Sequence, residues 1–385
     1  MNLIKIDEIK KQWYRLKSEY EEEYNEDFFT DFYRYSEYLE KMRNFLIKLK
    51  CKNPENVDII CTLASVELEL RYGSEEYIKL LEDFLEDFGE KISDNDKARI
   101  YTNMAYVEDY SKKALEYLEI SENLQSNFIE TYIGLSLFYF SEYRYHDDMK
   151  DVKTSQRYLD MSRMYIEKAL KIDDGYICKY NYAAALFELG HYDGAKEILL
   201  KLHQIYPEKN ILILNLAYCE TKLGNKNMAL SYLETIVVKK DDECDIERDS
   251  IVEERKYDVY YELGEYDTYL SYWKSKNLDD YYTIDWKEYF YALWHQNKKT
   301  EFELLEEKNR DYLNTVLNED MKKNVFDSEE EKKECIDYFR NIKKEFEEMV
   351  SSIKNGCSKP DVKLEMDMEF VCFMIDCIRH KQRLR

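Results

Sequence analysis

Apolar residues recur three or four positions apart through most of the chain, which is the spacing of an amphipathic α-helix. One such stretch has them at Val57, Ile60, Leu63, Ala64 and Leu68. Short polar interruptions separate these stretches, so we expect helices that pack against their neighbours in antiparallel pairs. The predicted helical stretches and pairs cover residues 9–22, 28–49, 56–71, 75–88, 95–124, 127–174, 176–209, 210–240, 250–279, 281–317, 329–354 and 361–379.

Two adjacent stretches, residues 176–209 and 210–240, align at a fixed offset of 34 residues. Asn181 of the first stretch recurs as Asn215, and Gly190 of the first stretch recurs as Gly224. A period of 34 residues is typical of a helix–turn–helix repeat that stacks into a solenoid. Each glycine lies where the first helix of its pair should end, and glycine relieves backbone strain there.

The repeat is irregular on both sides of these stretches. The spacing from Ala105 to Ala114 is shorter than the corresponding spacing in the clear repeats. We therefore expect the unit near residue 105 to be shorter than those repeats by nearly one helical turn. Residues 140–156 exceed what a standard unit can hold, and an acidic insertion follows at 239–245. We expect both insertions to be loops, which often carry binding in such arrays, although a plain connector explains residues 140–156 equally well.

Composition supports an all-α fold. The 385 residues include only three prolines and nine glycines, too few breakers for a sandwich, a barrel or a glycine-rich nucleotide-binding fold. We divide the chain into an N-terminal helical segment at 1–50, a helical repeat array at 51–320 and a C-terminal helical cap at 321–385. The break at Asn355–Pro360 should separate the two helices of this cap.

The first clear repeat resembles a unit of the tetratricopeptide repeat (TPR) family. The resemblance rests on Ala183, the hinge pair Gly190 and Tyr192, Ala195 and Pro207. It implies a right-handed α-solenoid of antiparallel helix pairs. In this family the first helix of each pair lines a concave surface that binds other proteins or peptides.

The same resemblance implies the candidate partner-binding residues. Family members often use an asparagine on the first helix to hydrogen-bond the main chain of a bound peptide, although such an asparagine can also bond within the array. Members that clamp a peptide carboxylate need lysine or arginine side chains that face the groove, and in the two clear repeats only Lys222 is expected to face it. The candidate residues are Asn103, Tyr106, Tyr180, Asn181, Phe187, Asn215, Tyr218 and Lys222.

The net charge of the chain indicates which classes of partner it can bind. The chain has 81 acidic and 57 basic residues, a formal charge of −24. Such a field repels nucleic acid and anionic membranes, so we expect no direct contact with either. It favours a basic protein or peptide, although a solvated acidic surface also serves solubility alone. The 37 tyrosines should mostly fill the contacts between helices, and an aromatic binding surface is the alternative.

Candidate chemistry is sparse. The sequence has no glycine-rich phosphate loop, nucleophile elbow or HExxH motif, so neither enzymatic activity nor a cofactor is predicted. His146 precedes Asp147, Asp148 and Asp151, but this order is not that of a calcium loop, and no metal site is predicted. The nine cysteines form no CxxC, which favours a reducing compartment. With neither a signal peptide nor a membrane span recognisable, we expect a cytoplasmic protein.

These observations predict a non-enzymatic scaffold or adaptor that binds a protein or peptide on its concave surface. One alternative is a regulatory receptor that senses a signalling peptide and controls an effector, since the layout is similar to that of Rap-type bacterial peptide receptors. Another is an acidic decoy that inhibits a nucleic-acid-binding protein. The sequence names neither the partner nor the oligomeric state.

Overall fold

The structure is a computed structural model, and it describes residues 6–24, 31–70, 75–107, 111–237, 246–276, 286–318 and 328–379. These residues form seventeen α-helices and no β-strand. Within each part of the chain described below, most helices pack against the next one along the sequence. The predicted all-α solenoid is therefore confirmed. The chain divides into two compact units, residues 1–190 with 367–385 (unit 1) and residues 191–366 (unit 2).

Unit 1 contains the helices from the N-terminus to the start of the clearest repeat. Trp13, Tyr38 and Leu63 belong to one buried cluster, so the first two helices share a core with the third. The rings of Trp13 and Tyr38 meet edge to face, with centroids 5.1 Å apart. The helices are α1 (Ile6–Tyr24), α2 (Phe32–Lys52), α3 (Val57–Leu70), α4 (Glu75–Phe88), α5 (Asp94–Val107), α6 (Lys112–Asn123), α7 (Ile129–Asp148), α8 (Val152–Ile172) and α9 (Tyr176–Glu188).

Unit 2 has an aromatic core built from Tyr261, Phe290, Phe302 and Phe346. The largest fully buried side chains of the described residues include several tyrosines, as expected for residues that fill the contacts between helices. The helices of unit 2 are α10 (Tyr192–Ile205), α11 (Asn210–Lys222), α12 (Lys226–Thr235), α13 (Ile246–Glu262), α14 (Tyr266–Ser275), α15 (Lys287–His295), α16 (Lys299–Asn318) and α17 (Glu329–Lys354).

The helix boundaries reproduce the repeat. Helices α9 and α11 begin at Tyr176 and Asn210, which are 34 residues apart. Gly190, Gly224 and Gly264 follow first helices and have φ of +79°, +76° and +78°. A Cβ at any of the three would meet no heavy atom within 4 Å. Backbone conformation rather than crowding therefore selects glycine at these hinges.

The predicted loop at residues 140–156 is wrong. Helix α7 continues to Asp148 and α8 begins at Val152, and these helices are 20 and 21 residues long. Phe140 and Tyr143 are buried and extend the apolar surface of α7. The extra residues therefore lengthen two packed helices. The other predicted insertion, 239–245, lies outside the described residues.

The predicted helix over residues 361–379 is also wrong. No residue from 357 to 379 is helical. Leu364, Met366 and Met368 are buried and alternate with more exposed charged residues. This alternation has the period of an extended chain, in which successive side chains point to opposite sides. Of the proposed helical cap at 321–385, α17 is helical and residues 359–378, named here the C-terminal segment, are not: they alternate as an extended chain around residues 363–369 and include a turn at 375–376.

Candidate functional site

The first helices of four successive pairs in unit 1 are α3, α5, α7 and α9, and their residues that contact residues 367–378 form what we call the first-helix face. Helix α5 packs against both α3 and α7. Along the C-terminal segment, residues 367–369 contact α7 and α9, residues 375 and 376 contact α5, and residue 378 contacts α3. A non-helical main chain therefore crosses from the later first helices to the earlier ones.

Asn181 on α9 holds the main chain at one end of this contact. Its buried side chain accepts a hydrogen bond through Oδ1 from the Glu369 amide at 2.7 Å. Its Nδ2 donates to the Glu369 carbonyl at 3.2 Å. Both partner atoms belong to the main chain, so Asn181 can hold an extended peptide whatever side chain that residue has.

Helix α5 supplies a second anchor, at a buried aspartate. Asn103 Oδ1 accepts from the Ile375 amide at 2.7 Å, and its Nδ2 donates to Asp376 Oδ2 at 2.8 Å. Arg99 Nε donates to the same oxygen at 2.8 Å, and Arg99 Nη2 donates to the other carboxylate oxygen. Asp376 is only 5% exposed, and a carboxylate so deeply buried is tolerated because it is paired and hydrogen-bonded.

Arg99 also donates through Nη1 to Asp58 on α3, at 2.7 Å. Burial by itself would lower the pKa of Arg99, but the attraction and hydrogen bonding of Asp376, together with the attraction of Cys61 and Asp58, outweigh burial, and the pKa lies well above its ordinary value. Arg99 therefore carries a fixed positive charge under the C-terminal segment.

An aromatic contact lies between the two asparagines. The ring of Phe373 meets that of Tyr106 edge to face, with centroids 5.3 Å apart. Gly134 on α7 makes room for this ring, because a Cβ at that position would lie 3.1 Å from Phe373 Cδ2 and equally close to Leu118. The buried ring of Phe373 thus packs on α7 at a position, Gly134, that has no side chain.

A third anchor of the main chain lies on α3, where Ser65 Oγ accepts from the Ile378 amide at 2.9 Å. Beside α9, the phenol of Tyr176 donates to Glu369 Oε1 at 3.0 Å. The amides of residues 369, 375 and 378 are therefore each held by a side chain from a different helix.

In unit 2 the start of the C-terminal segment is held by α13. Glu262 Oε1 accepts from the Val362 amide at 2.9 Å, and Glu262 Oε2 pairs with Lys359 Nζ at 2.8 Å. The phenol of Tyr261 donates to the Pro360 carbonyl at 3.2 Å. Side chains of a first helix again hold main-chain atoms of the segment.

Three of the predicted site residues contact the C-terminal segment: Asn103, Tyr106 and Asn181. The asparagines were expected to bond either a bound peptide or the array. They bond the main chain of a non-helical part of the same polypeptide, at residue 369 and at the turn residue 375.

The other five predicted residues lie elsewhere on α9 and α11. Tyr180 and Phe187 are buried in unit 1, and Tyr180 stacks on its neighbour Tyr176. Asn215 and Tyr218 are buried in unit 2, whereas Lys222 is exposed in the last turn of α11. Their assignment to a binding site stays a prediction.

Sequence reasoning missed Ser65, Arg99, Gly134 and the segment itself. The alternating pattern of residues 363–369 was a signal for an extended chain. An isolated glycine in a helical stretch, such as Gly134, was a signal for close packing. Ser65 carried no comparable signal.

In the described parts of the chain, no three His, Cys, Asp or Glu side chains converge as a metal site would require. His146 Nδ1 lies 3.7 Å from Asp151 Oδ2, and its ring packs on Tyr158 with centroids 5.3 Å apart. None of the helices in the described ranges combines the length and the apolar character needed to cross a lipid bilayer.

Comparison with known proteins finds the repeat directly. Residues 178–209 match the family model of the tetratricopeptide repeat. A crystal structure of yeast Tom70 is similar at 13% sequence identity and a TM-score of 0.33, over 83% of this chain and 62% of that chain. This chain thus spans less than two thirds of that protein, and a TM-score this low carries no information on function. No curated protein matches the chain.

Proposed function

Since residues 178–209 match the tetratricopeptide repeat, we propose that the chain is a non-enzymatic protein-interaction module whose first-helix face binds an extended segment of a partner protein. One observation carries the proposal: the Asn181 side chain hydrogen-bonds both the N–H and the C=O of residue 369. Such a pair of bonds is how an extended main chain is held at the edge of a sheet, and it is available to any extended peptide.

The spacing of the anchors supports a peptide rather than a folded surface as the ligand. Asn181, Asn103 and Ser65 accept from the amides of residues 369, 375 and 378. These three amides lie within ten consecutive residues, 369–378, which include a turn at 375–376, so one short peptide can reach all three anchors. A folded partner would have to offer an exposed stretch of the same length with free main-chain groups.

A partner segment and residues 367–378 compete for the same donors and acceptors, so binding requires displacement of the C-terminal segment. A tethered ligand acts at an effective concentration that is commonly in the millimolar range. This competition favours the regulatory receptor as a second candidate function, because a ligand that displaces residues 367–378 would expose them to other molecules.

The test is selection from a phage-displayed library of random extended peptides. The bait is the full-length chain with Phe373→Ala and Asp376→Asn, which weaken its own segment and leave the three main-chain anchors in place. Binding of the selected peptides should be lost when Asn103→Ala and Asn181→Ala are added. The control is Asn341→Ala, an exposed asparagine of α17 that bonds Glu345.

The proposal fails if no peptide is enriched, or if enriched peptides bind the Asn103→Ala, Asn181→Ala bait as tightly as the original. Circular dichroism of each bait checks that helix content is unchanged.

A further inference from the structure

We infer that the first-helix face selects an acidic, apolar segment with an aromatic residue three positions before an aspartate, and that residues 367–378 are the chain's own copy of that ligand. This inference rests on the proposed function and adds the chemical class of the partner. It differs from the expectation drawn from net charge, which favoured a basic ligand.

The charges of residues 367–378 and of their neighbours indicate which side chains the first-helix face accepts. Residues 367–378 contain three acidic and no basic residues. Every one of the three has a donor on the first helices of unit 1. A chain of net charge −24 therefore has, at this face, donors that suit carboxylates. The pairs are Asp367 with Arg144, Glu369 with Tyr176, and Asp376 with Arg99.

Asp376 is the most discriminating of these positions. It is 5% exposed, whereas Asp367 is 48% exposed at its side chain and lies 3.5 Å from Arg144. A lysine at position 376 would bury a positive charge beside Arg99, and an asparagine would present an N–H₂ group to a donor. A buried site of this kind rejects the wrong group because the remaining polar atoms lose their partners.

The spacing of the motif follows from one helix. Arg99, Asn103 and Tyr106 are four and three residues apart on α5, so they lie on one side of the helix. They contact, in the same order along the helix, Asp376, the Ile375 amide and Phe373. The distance between the aromatic residue and the aspartate is therefore fixed by α5 itself.

Gly134 sets the preference for an aromatic residue. A Cβ there would lie 3.1 Å from Phe373 Cδ2, closer than nearly all real contacts of such an atom. The space above α7 is thus sized for a flat ring that packs on Tyr106. A smaller side chain at this position would leave part of that space empty.

The test uses a fluorescein-labelled peptide with the sequence of residues 367–378 and the full-length chain carrying Phe373→Ala and Asp376→Asn. Fluorescence anisotropy measures binding under reducing conditions. We expect saturable binding of the unaltered peptide, about 30-fold weaker binding of the Asp376→Asn peptide, about tenfold weaker binding of the Phe373→Ala peptide, and no measurable binding of the Asp376→Lys peptide. The Asp367→Asn peptide, altered at a half-exposed position, is the matched control and should change affinity by less than about threefold.

A double-mutant cycle tests the aromatic site by combining a substitution in the chain with one in the peptide. Gly134→Ala in the chain should weaken the unaltered peptide about tenfold and leave the affinity of the Phe373→Ala peptide unchanged. Because this substitution also approaches Leu118, the peptide substitutions stand as a test that leaves the fold of the chain untouched.

The outcomes separate the two proposals. Equal binding of the unaltered, Asp376→Lys and Phe373→Ala peptides overturns the inferred ligand class and leaves peptide binding intact. Enriched library peptides that lack the aromatic–aspartate spacing do the same. Failure of every peptide, including those of the library, overturns the proposed function as well. If the unaltered chain forms a dimer that dissociates on Asp376→Asn substitution, then the segment on each first-helix face comes from the second copy. That result would contradict the intramolecular ligand inferred here.

Discussion

Asp376→Asn is the substitution that tests most directly how the C-terminal segment is held. The carboxylate accepts from Arg99 Nε and Asn103 Nδ2, each at 2.8 Å, and from Arg99 Nη2. Loss of one partner from a buried ion pair typically costs about 3–5 kcal/mol. In the variant Arg99 keeps its 2.7 Å bond to Asp58, and the asparagine side chain keeps one acceptor oxygen. We therefore expect the substitution to lower the free energy that holds the segment in place by about 2 kcal/mol.

That cost should act on detachment of the segment rather than on global unfolding, because all of the lost bonds join the segment to α5. A change of 1.4 kcal/mol is a factor of ten, so about 2 kcal/mol makes detachment about 30-fold more frequent. Hydrogen exchange at the amides of Glu369, Ile375 and Ile378 should accelerate by that factor. Asp361→Asn, an exposed position in the same segment, is the matched control and should leave the three amides unchanged.

Cysteine labelling gives an independent measurement. Cys377 lies next to Asp376 and is 2% exposed, and Cys178 is equally buried but lies within α9. Alkylation followed by mass spectrometry should show faster modification of Cys377 in Asp376→Asn and no change at Cys178. Exchange rates within threefold of those of the unaltered chain, or equal acceleration at Cys178, would refute the local detachment of a charge-anchored segment.

Three further predictions concern other parts of the molecule. Asn181→Ala should speed exchange of the Glu369 amide about tenfold, because that N–H loses its acceptor; an unchanged rate would contradict the bond. Gly190→Ala should cost about 1 kcal/mol in denaturant unfolding, since its φ is +79°, whereas Gly175→Ala, with φ of −62°, should cost less; equal costs would argue against a conformational role. Burial raises the pKa of Asp258 to about 6, so its contribution to stability is lost as pH rises through 6. Asp258→Asn should therefore be more stable than the unaltered chain at pH 7.5, by about 2 kcal/mol, and equally stable near pH 4; the same difference at both pH values would contradict a buried carboxylate.

Repeat register indicates part of the candidate site from the sequence alone. Asn103 and Asn181 occupy the same place in their first helices, and both hold the main chain of the C-terminal segment. Asn215 occupies the same place in α11 and is buried in unit 2. Register therefore gives the side of a helix on which a residue lies, and the partner depends on what covers that side.

Local patterns failed where two structures fit the same residues. Residues 140–156 are polar enough for a loop, yet Phe140 and Tyr143 find buried positions and the helices continue. The final residues contain enough apolar positions for a helix, although their alternation at 363–369 fits an extended chain better. In both places burial against the rest of the protein decided the outcome.

The helix pairs, the 34-residue period and the hinge glycines follow from the sequence alone, because each depends on residues close together in the chain. The covering of the first-helix face by residues 367–378 follows only from the tertiary structure. Arg99 and Asp376 are 277 residues apart in sequence, and no local pattern records which distant segment completes a buried ion pair. That contact depends on the whole fold of unit 1, which brings α3, α5, α7 and α9 into contact with one non-helical segment.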